Sequence, residues 1–146
     1  MGNNWKLAHV GVVVRDMDQV IEYYKSLGLV TEIGTEWISD NKELDAQAYG
    51  KPADPKCKVK VRGIHIGPVE LLLNQPLEGE GRQQDFLNSH GEGINHIAFF
   101  VDDLESEKAK MIEKGISIMF EVQGNAYFDT RKFGNVVIQL LQRRSK

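Results

Sequence analysis

A single cysteine, Cys57, in a chain of 146 residues excludes an internal disulfide. No apolar run approaches the roughly 18 residues that a membrane-spanning helix requires. The opening stretch, MGNNWKLAHV, lacks the basic and apolar segments of a secretory signal. Together these absences predict a cytoplasmic protein with no membrane partner. Charge of one sign is scarce as well. With 18 basic residues against 21 acidic ones, the net charge of −3 excludes a sequence-wide attraction to nucleic acid, so any anion binding has to be local. Nothing reads as low complexity or as a second domain. A chain of this length, 41% hydrophobic, predicts one packed domain over residues 1–146.

What the chain does contain is a repeat. Residues 7–18 read LAHVGVVVRDMD and residues 94–105 read INHIAFFVDDLE. His9 precedes Gly28 by nineteen residues, and His96 precedes Gly115 by the same nineteen. Between each histidine and its glycine lie an apolar strand-like run, aspartates placed to cap a helix, and a stretch of helical spacing. Asp16 is the expected cap of DQVIEYYKSL, and Asp102 or Asp103 that of LESEKAKMIEK. Gly28 and Gly115 stand where a helix end favours positive φ.

Three strand-like segments follow each helix: VTEIGTEWIS, KVKVRGIHI and PVELLLN, then ISIMFEV, NAYFD and NVVIQLLQ. Each half is thus predicted as βαβββ, module one over about 5–75 and module two over about 94–143. Residues 40–57 mix charge, proline and glycine without periodicity and read as a long surface loop. The linker, about 76–93, holds a possible short helix over RQQDFLNSH.

Strand parity puts His9, Gly11 and Val13 on one face, and Val10, Val12 and Val14 on the face suited to packing under the helix. His96 shares its face with Ala98 and Phe100. The last strand of each module carries a polar intrusion among apolar residues, Glu70 in PVELLL and Gln139 in VVIQLLQ. A buried carboxylate needs a cation, a hydrogen-bond network or a metal. Two histidines, a carboxylate and an amide at equivalent places therefore form a possible four-ligand site, the alternative being a buried polar network. His65 and His90 have no echo in the other half and read as surface or loop residues.

At these residues the chain resembles the vicinal oxygen chelate superfamily, which includes glyoxalase (lactoylglutathione lyase), methylmalonyl-CoA epimerase, extradiol dioxygenases and bleomycin-resistance proteins. FLNSHGEGINHIAFFVDDLE and GNVVIQLLQ look most like methylmalonyl-CoA epimerase and related glyoxalase-like proteins. The resemblance implies an α+β fold in which two βαβββ modules form a curved mixed sheet around a central cleft, usually in a homodimer. It also implies a divalent metal ion (Zn, Ni, Co, Fe or Mn) held by His9, Glu70, His96 and Gln139. In the epimerase and glyoxalase patterns the fourth position is usually glutamate. Gln139 removes one anionic ligand, which weakens binding, raises Lewis acidity and leaves no carboxylate there to move a proton.

The resemblance implies an isomerase, epimerase or lyase acting beside a carbonyl through an enolate, on a small-molecule substrate such as an acyl-CoA or other thioester. The alternatives are a glyoxalase-type lyase on thiol adducts and a non-catalytic, bleomycin-resistance-like binding protein. Glu70 is the first candidate for the base, with Glu43, Asp54, Glu121, Tyr127 and Asp129 behind it. Phe86, Phe100 and Phe120 are candidate cleft residues. Lys56, Lys58, Lys60 and Arg62 read as a solvated strand face rather than a phosphate site, and Arg131 with Lys132 as a second, weaker cluster.

Overall fold

A computed structural model describes residues 2–144. β1 (Lys6–Val13) ends at Asp16, whose carboxylate accepts the Gln19 N–H and starts α1 (Met17–Ser26). Gly28 follows at φ +75°, the left-handed conformation that closes the helix. β8 (Gly93–Val101) repeats the arrangement: Asp103 accepts the Ser106 N–H, α4 (Leu104–Glu113) follows, and Gly115 sits at φ +80°. Val12, Val14, Met17 and Ile21 form one core with Ile64 and Leu73 beneath α1. Val101, Leu104, Met111, Ala126, Phe128 and Leu140 form its counterpart beneath α4.

The remaining strands of the first half are β2 (Glu32–Ile33), β3 (Trp37–Asp40), β6 (Lys58–Ile66) and β7 (Val69–Glu78). The second half adds β9 (Ile118–Val122), β10 (Asn125–Phe128) and β11 (Val137–Gln142). One mixed sheet runs through both halves in the order β2-β6-β7-β1-β8-β11-β10-β9, with β3 also on β6. At its centre β1 and β8 pair antiparallel, while each half's last strand runs parallel to its first, β7 on β1 and β11 on β8. This order brings the two histidine strands side by side and flanks them with the strands of Glu70 and Gln139. The architecture is α+β, a curved open sheet, as expected, with four helices among the described residues.

Two expectations need correction. The segment VTEIGTEWIS is two short strands on β6, interrupted where the Gly34 N–H donates to the Gly63 carbonyl and the Gly34 carbonyl accepts from Arg62 Nε. Residues 40–57 are not an irregular loop. They hold α2 (Asn41–Leu44), β4 (Gln47–Ala48) and β5 (Lys51–Pro52), and β4 pairs with β9. The first half therefore reaches across and extends the second half's sheet edge. Pairings two residues long leave no hydropathy period to detect. The linker helix is present as α3 (Arg82–His90).

Candidate metal centre and its cleft

The face of the sheet away from α1 and α4 carries the side chains that parity assigned to it. His9 and His96 are buried there, His96 completely. His9 Nε2 lies 3.3 Å from His96 Nε2 and 3.1 Å from Gln139 Oε1. Gln139 Nε2 donates to Asn125 Oδ1 at 2.7 Å, which aims the amide oxygen inward. His96 Nδ1 donates to Asn95 Oδ1 at 2.7 Å, which leaves its Nε2 unprotonated. Three inward-facing atoms thus share at most one hydrogen, the one on His9 Nε2. Either that hydrogen is divided between two acceptors, or all three atoms offer lone pairs to one cation.

Burial is the main force holding both imidazoles neutral. It lowers the pKa of His9 from 6.5 to about 4, with the Gln139 bond opposing and the Arg82 charge adding to the effect. His96 is lowered well below 6.5 by burial, then by Arg82 and His9. Neutral imidazole is the form that binds metal. An ion held by bonds of about 2.0–2.2 Å at tetrahedral or octahedral angles separates its donors by about 2.8–3.6 Å, and both observed separations fall in that interval. The donor set and its spacing fit a divalent ion. Among the described residues, no three His, Cys, Asp or Glu side chains cluster to hold one, since the third converging donor is an amide.

Gly11 makes this packing possible. It pairs with His96 across β1 and β8, and a Cβ on it would stand 1.8 Å from His96 Cε1. His96 and Tyr127 meet edge to face at 5.3 Å.

Glu70 is in the cleft but outside the cluster. It borders the same cavity of about 290 Å³ as His9 and Gln139, yet its side chain is one-third exposed and turns toward β6. There its Oε2 lies 3.8 Å from His65 Nε2 and close enough to Gly63 that a Cβ would meet it at 2.9 Å. His65 corrects the expectation of a surface or loop residue. It sits on β6 directly opposite Glu70, and its buried Nδ1 has no hydrogen-bond partner. His90 ends α3, exposed and stacked on Phe86.

The other candidates divide as follows. Tyr127 and Phe120 border the cleft, Phe86 borders an adjoining cavity of about 390 Å³, and Phe100 faces a different surface recess. Glu121 is held by Lys108 at 3.0 Å and Asp129 by Arg131 at 2.8 Å. Asp54 accepts the backbone N–H groups of Lys56 and Glu80, while Glu43 lies in a surface recess with Lys58. Lys58 pairs with Glu78 and Lys60 with Glu36, as a solvated face should.

Arg82 was not among the candidates. It begins α3, and its guanidinium lies 3.5 Å from the centre of the Tyr127 ring. The signal available in the chain was a cation in a helix's first turn, where the macrodipole disfavours one. Such a residue has a reason to be there other than the helix.

The family model described as the Glyoxalase/Bleomycin resistance protein/Dioxygenase superfamily matches residues 8–134. Among curated proteins, the chain is 22% identical over 144 residues to the uncharacterized protein YqjC of Bacillus subtilis, covering 94% of this chain and 91% of the other. It is 28% identical over 120 residues to lactoylglutathione lyase of Schizosaccharomyces pombe, covering 79% of this chain but only 39% of the longer enzyme. Among solved structures, methylmalonyl-CoA epimerase from Mycobacterium tuberculosis superposes with a TM-score of 0.67 at 20% identity, over 99% of this chain and 94% of that one. At that identity the superposition establishes a shared fold.

Proposed function

The chain belongs to the Glyoxalase/Bleomycin resistance protein/Dioxygenase superfamily, and within that family we propose that it is a divalent-metal-dependent isomerase, epimerase or lyase that moves a proton beside a carbonyl. The observation that carries this reading is the approach of both His96 Nε2, at 3.3 Å, and Gln139 Oε1, at 3.1 Å, to His9 Nε2, with His9 and Gln139 lining a cavity. His9, His96 and Gln139 would hold the ion, with Glu70 able to join by a side-chain rotation. When bound, a divalent ion polarises a substrate carbonyl and stabilises the charge that develops on its oxygen.

Glu70 is the proposed base. Gln139 has no proton to exchange at neutral pH, whereas Glu70 offers a carboxylate outside the donor cluster in the same cavity. His65, 3.8 Å from it, orients the carboxylate and stays outside the donor cluster. The strands fix both groups relative to the donor atoms, so a substrate bridging them is oriented without further rearrangement. Val59, Val61 and Leu72 give the cavity apolar walls.

An acyl-CoA or other thioester as substrate, a single domain and a homodimeric assembly are parts of the same proposal. The methylmalonyl-CoA epimerase and lactoylglutathione lyase relatives support the first. A glyoxalase-type lyase acting on thiol adducts needs the same residues, and substrate assays separate it from an epimerase. The hydrogen count favours one further reading. A single shared hydrogen satisfies all three inward atoms, so the cleft is also suited to sequestering a small molecule without metal.

The test is metal content and proton exchange together. Protein purified without chelator is expected to hold about one equivalent of divalent metal, which His96→Ala loses. Exchange of the α-proton of methylmalonyl-CoA with deuterated water is expected in the wild type and absent in Glu70→Gln, which keeps its metal. A metal-free wild type that binds small molecules undiminished would establish sequestration instead.

A further inference from the structure

Among the described residues, the least compensated charge belongs to Arg82. Its aliphatic stem is partly exposed, but Nε, Nη1 and Nη2 are all sealed from water and none has a hydrogen-bond partner. Arg82 takes part in none of the ion pairs formed among the described residues. Tyr127 supplies what compensation there is, by its ring face 3.5 Å away. Four carboxylates border the same cavities and none forms an ion pair with Arg82: Glu70 faces His65, Asp54 accepts backbone N–H groups, and Glu80 and Asp85 take part in no ion pair among the described residues. A buried cation with five donors and no acceptor is among the least favourable arrangements a protein can keep.

Arg82 also stands on the wall between the two cavities and borders both. It borders one of them together with His9 and Gln139, so it lies beside the donor cluster. The planar fork of donors, sealed from water against the Tyr127 ring, reaches a carboxylate by a rotation of the side chain into the adjoining cavity, where it matches that group in two parallel hydrogen bonds. We propose that Arg82 is the anion receptor of this cleft and that its ligand is a small molecule bearing a carboxylate, bound between the guanidinium and the His9–His96–Gln139 cluster. The proposal names the substrate class of the site described above and rests on that site being where substrate binds. It does not rest on the metal.

Malonate and its uncharged diamide are the probes, titrated by calorimetry into protein stripped with chelator, so that a carboxylate captured by metal cannot mimic one captured by arginine. Wild type is expected to bind malonate and not the diamide, and to melt at a higher temperature as malonate is added. Arg82→Met is expected to lose at least about ten-fold in malonate affinity, the scale of hydrogen bonds to a charged group. Without ligand it should melt above the wild type, because an unpaired buried charge has gone. Arg82→Lys keeps the charge but not the fork, and is expected to bind malonate more weakly than wild type, which keeps the test decisive if the methionine variant does not fold. Malonate affinity unchanged in either variant would overturn the proposal, as would binding of inorganic phosphate in preference to malonate or no binding of malonate at all. Metal content measured on unstripped protein reports separately on the metal centre, so failure of one leaves the other standing.

Discussion

Glu70 and Gln139 occupy matching strands, each parallel to its own half's histidine strand. The amide of Gln139 is buried, anchored by Asn125 and in contact with His9. The carboxylate of Glu70 is one-third exposed and turned toward His65. Neighbouring residues account for the difference. Beside Gln139, β10 presents Asn125 as an acceptor for the amide N–H, which leaves the oxygen facing inward. Beside Glu70, β6 presents Gly63, with room above it, and an imidazole. The strands match but the registers do not: Gln139 lies opposite Ala98, two residues past His96, whereas Leu72 rather than Glu70 lies opposite Gly11, two residues past His9, and a fixed donor stands against a movable carboxylate.

The sharpest way to break that comparison is through the glycines beneath each half. Gly11→Ala drives a Cβ into the buried, immovable ring of His96 and is expected to cost about 3 kcal/mol or more in urea denaturation. Gly63→Ala meets only the flexible side chain of a glutamate that is one-third exposed, and is expected to cost no more than about 1 kcal/mol.

Acid should separate the halves of the cluster from the rest of the protein. The pKa of His9 is lowered from 6.5 to about 4 in the folded chain, so the unfolded chain takes up its proton first as pH falls. Stability is therefore fully present above about pH 6.5 and declines toward pH 4. For chelator-stripped protein the loss from His9 alone is about 2 kcal/mol at pH 5. His9→Gln is expected to flatten the dependence of the urea midpoint on pH over that interval, and an unchanged slope would deny that His9 is held neutral.

Exchanging the two acidic-strand residues sharpens the contrast on metal. Gln139→Glu adds a negative ligand at a position already aimed at the cluster and is expected to raise zinc affinity about ten-fold or more by competition titration. Glu70→Gln is expected to leave affinity within about three-fold, because that side chain is not engaged. The smallest effects belong to the features the halves still share. Asp16→Ala and Asp103→Ala each remove one cap hydrogen bond of 3.1 Å, and each is expected to cost about 1 kcal/mol, with similar shifts in thermal midpoint.

The features that duplication preserved were legible in the chain: the strands, both caps, both helix-ending glycines and the inward placement of His9, His96 and Gln139. These depend on local periodicity and parity, which a sequence records directly. The crossing of β4 to β9 was not legible, because two-residue pairings carry no pattern. Nor was the partnership of His65 with Glu70, which depends on the register between β6 and β7 rather than on either strand alone. Arg82 was overlooked for a similar reason. Its burial is set by Tyr127, forty-five residues downstream, and a single arginine at a helix start carries no periodicity.

Cobalt-soaked crystals, measured at the metal's absorption edge, address the convergence on which the rest depends. One anomalous peak is expected, within about 2.0–2.2 Å of His9 Nε2, His96 Nε2 and Gln139 Oε1. Two separated peaks, each on one histidine, or full occupancy elsewhere with none between the imidazoles, would contradict it.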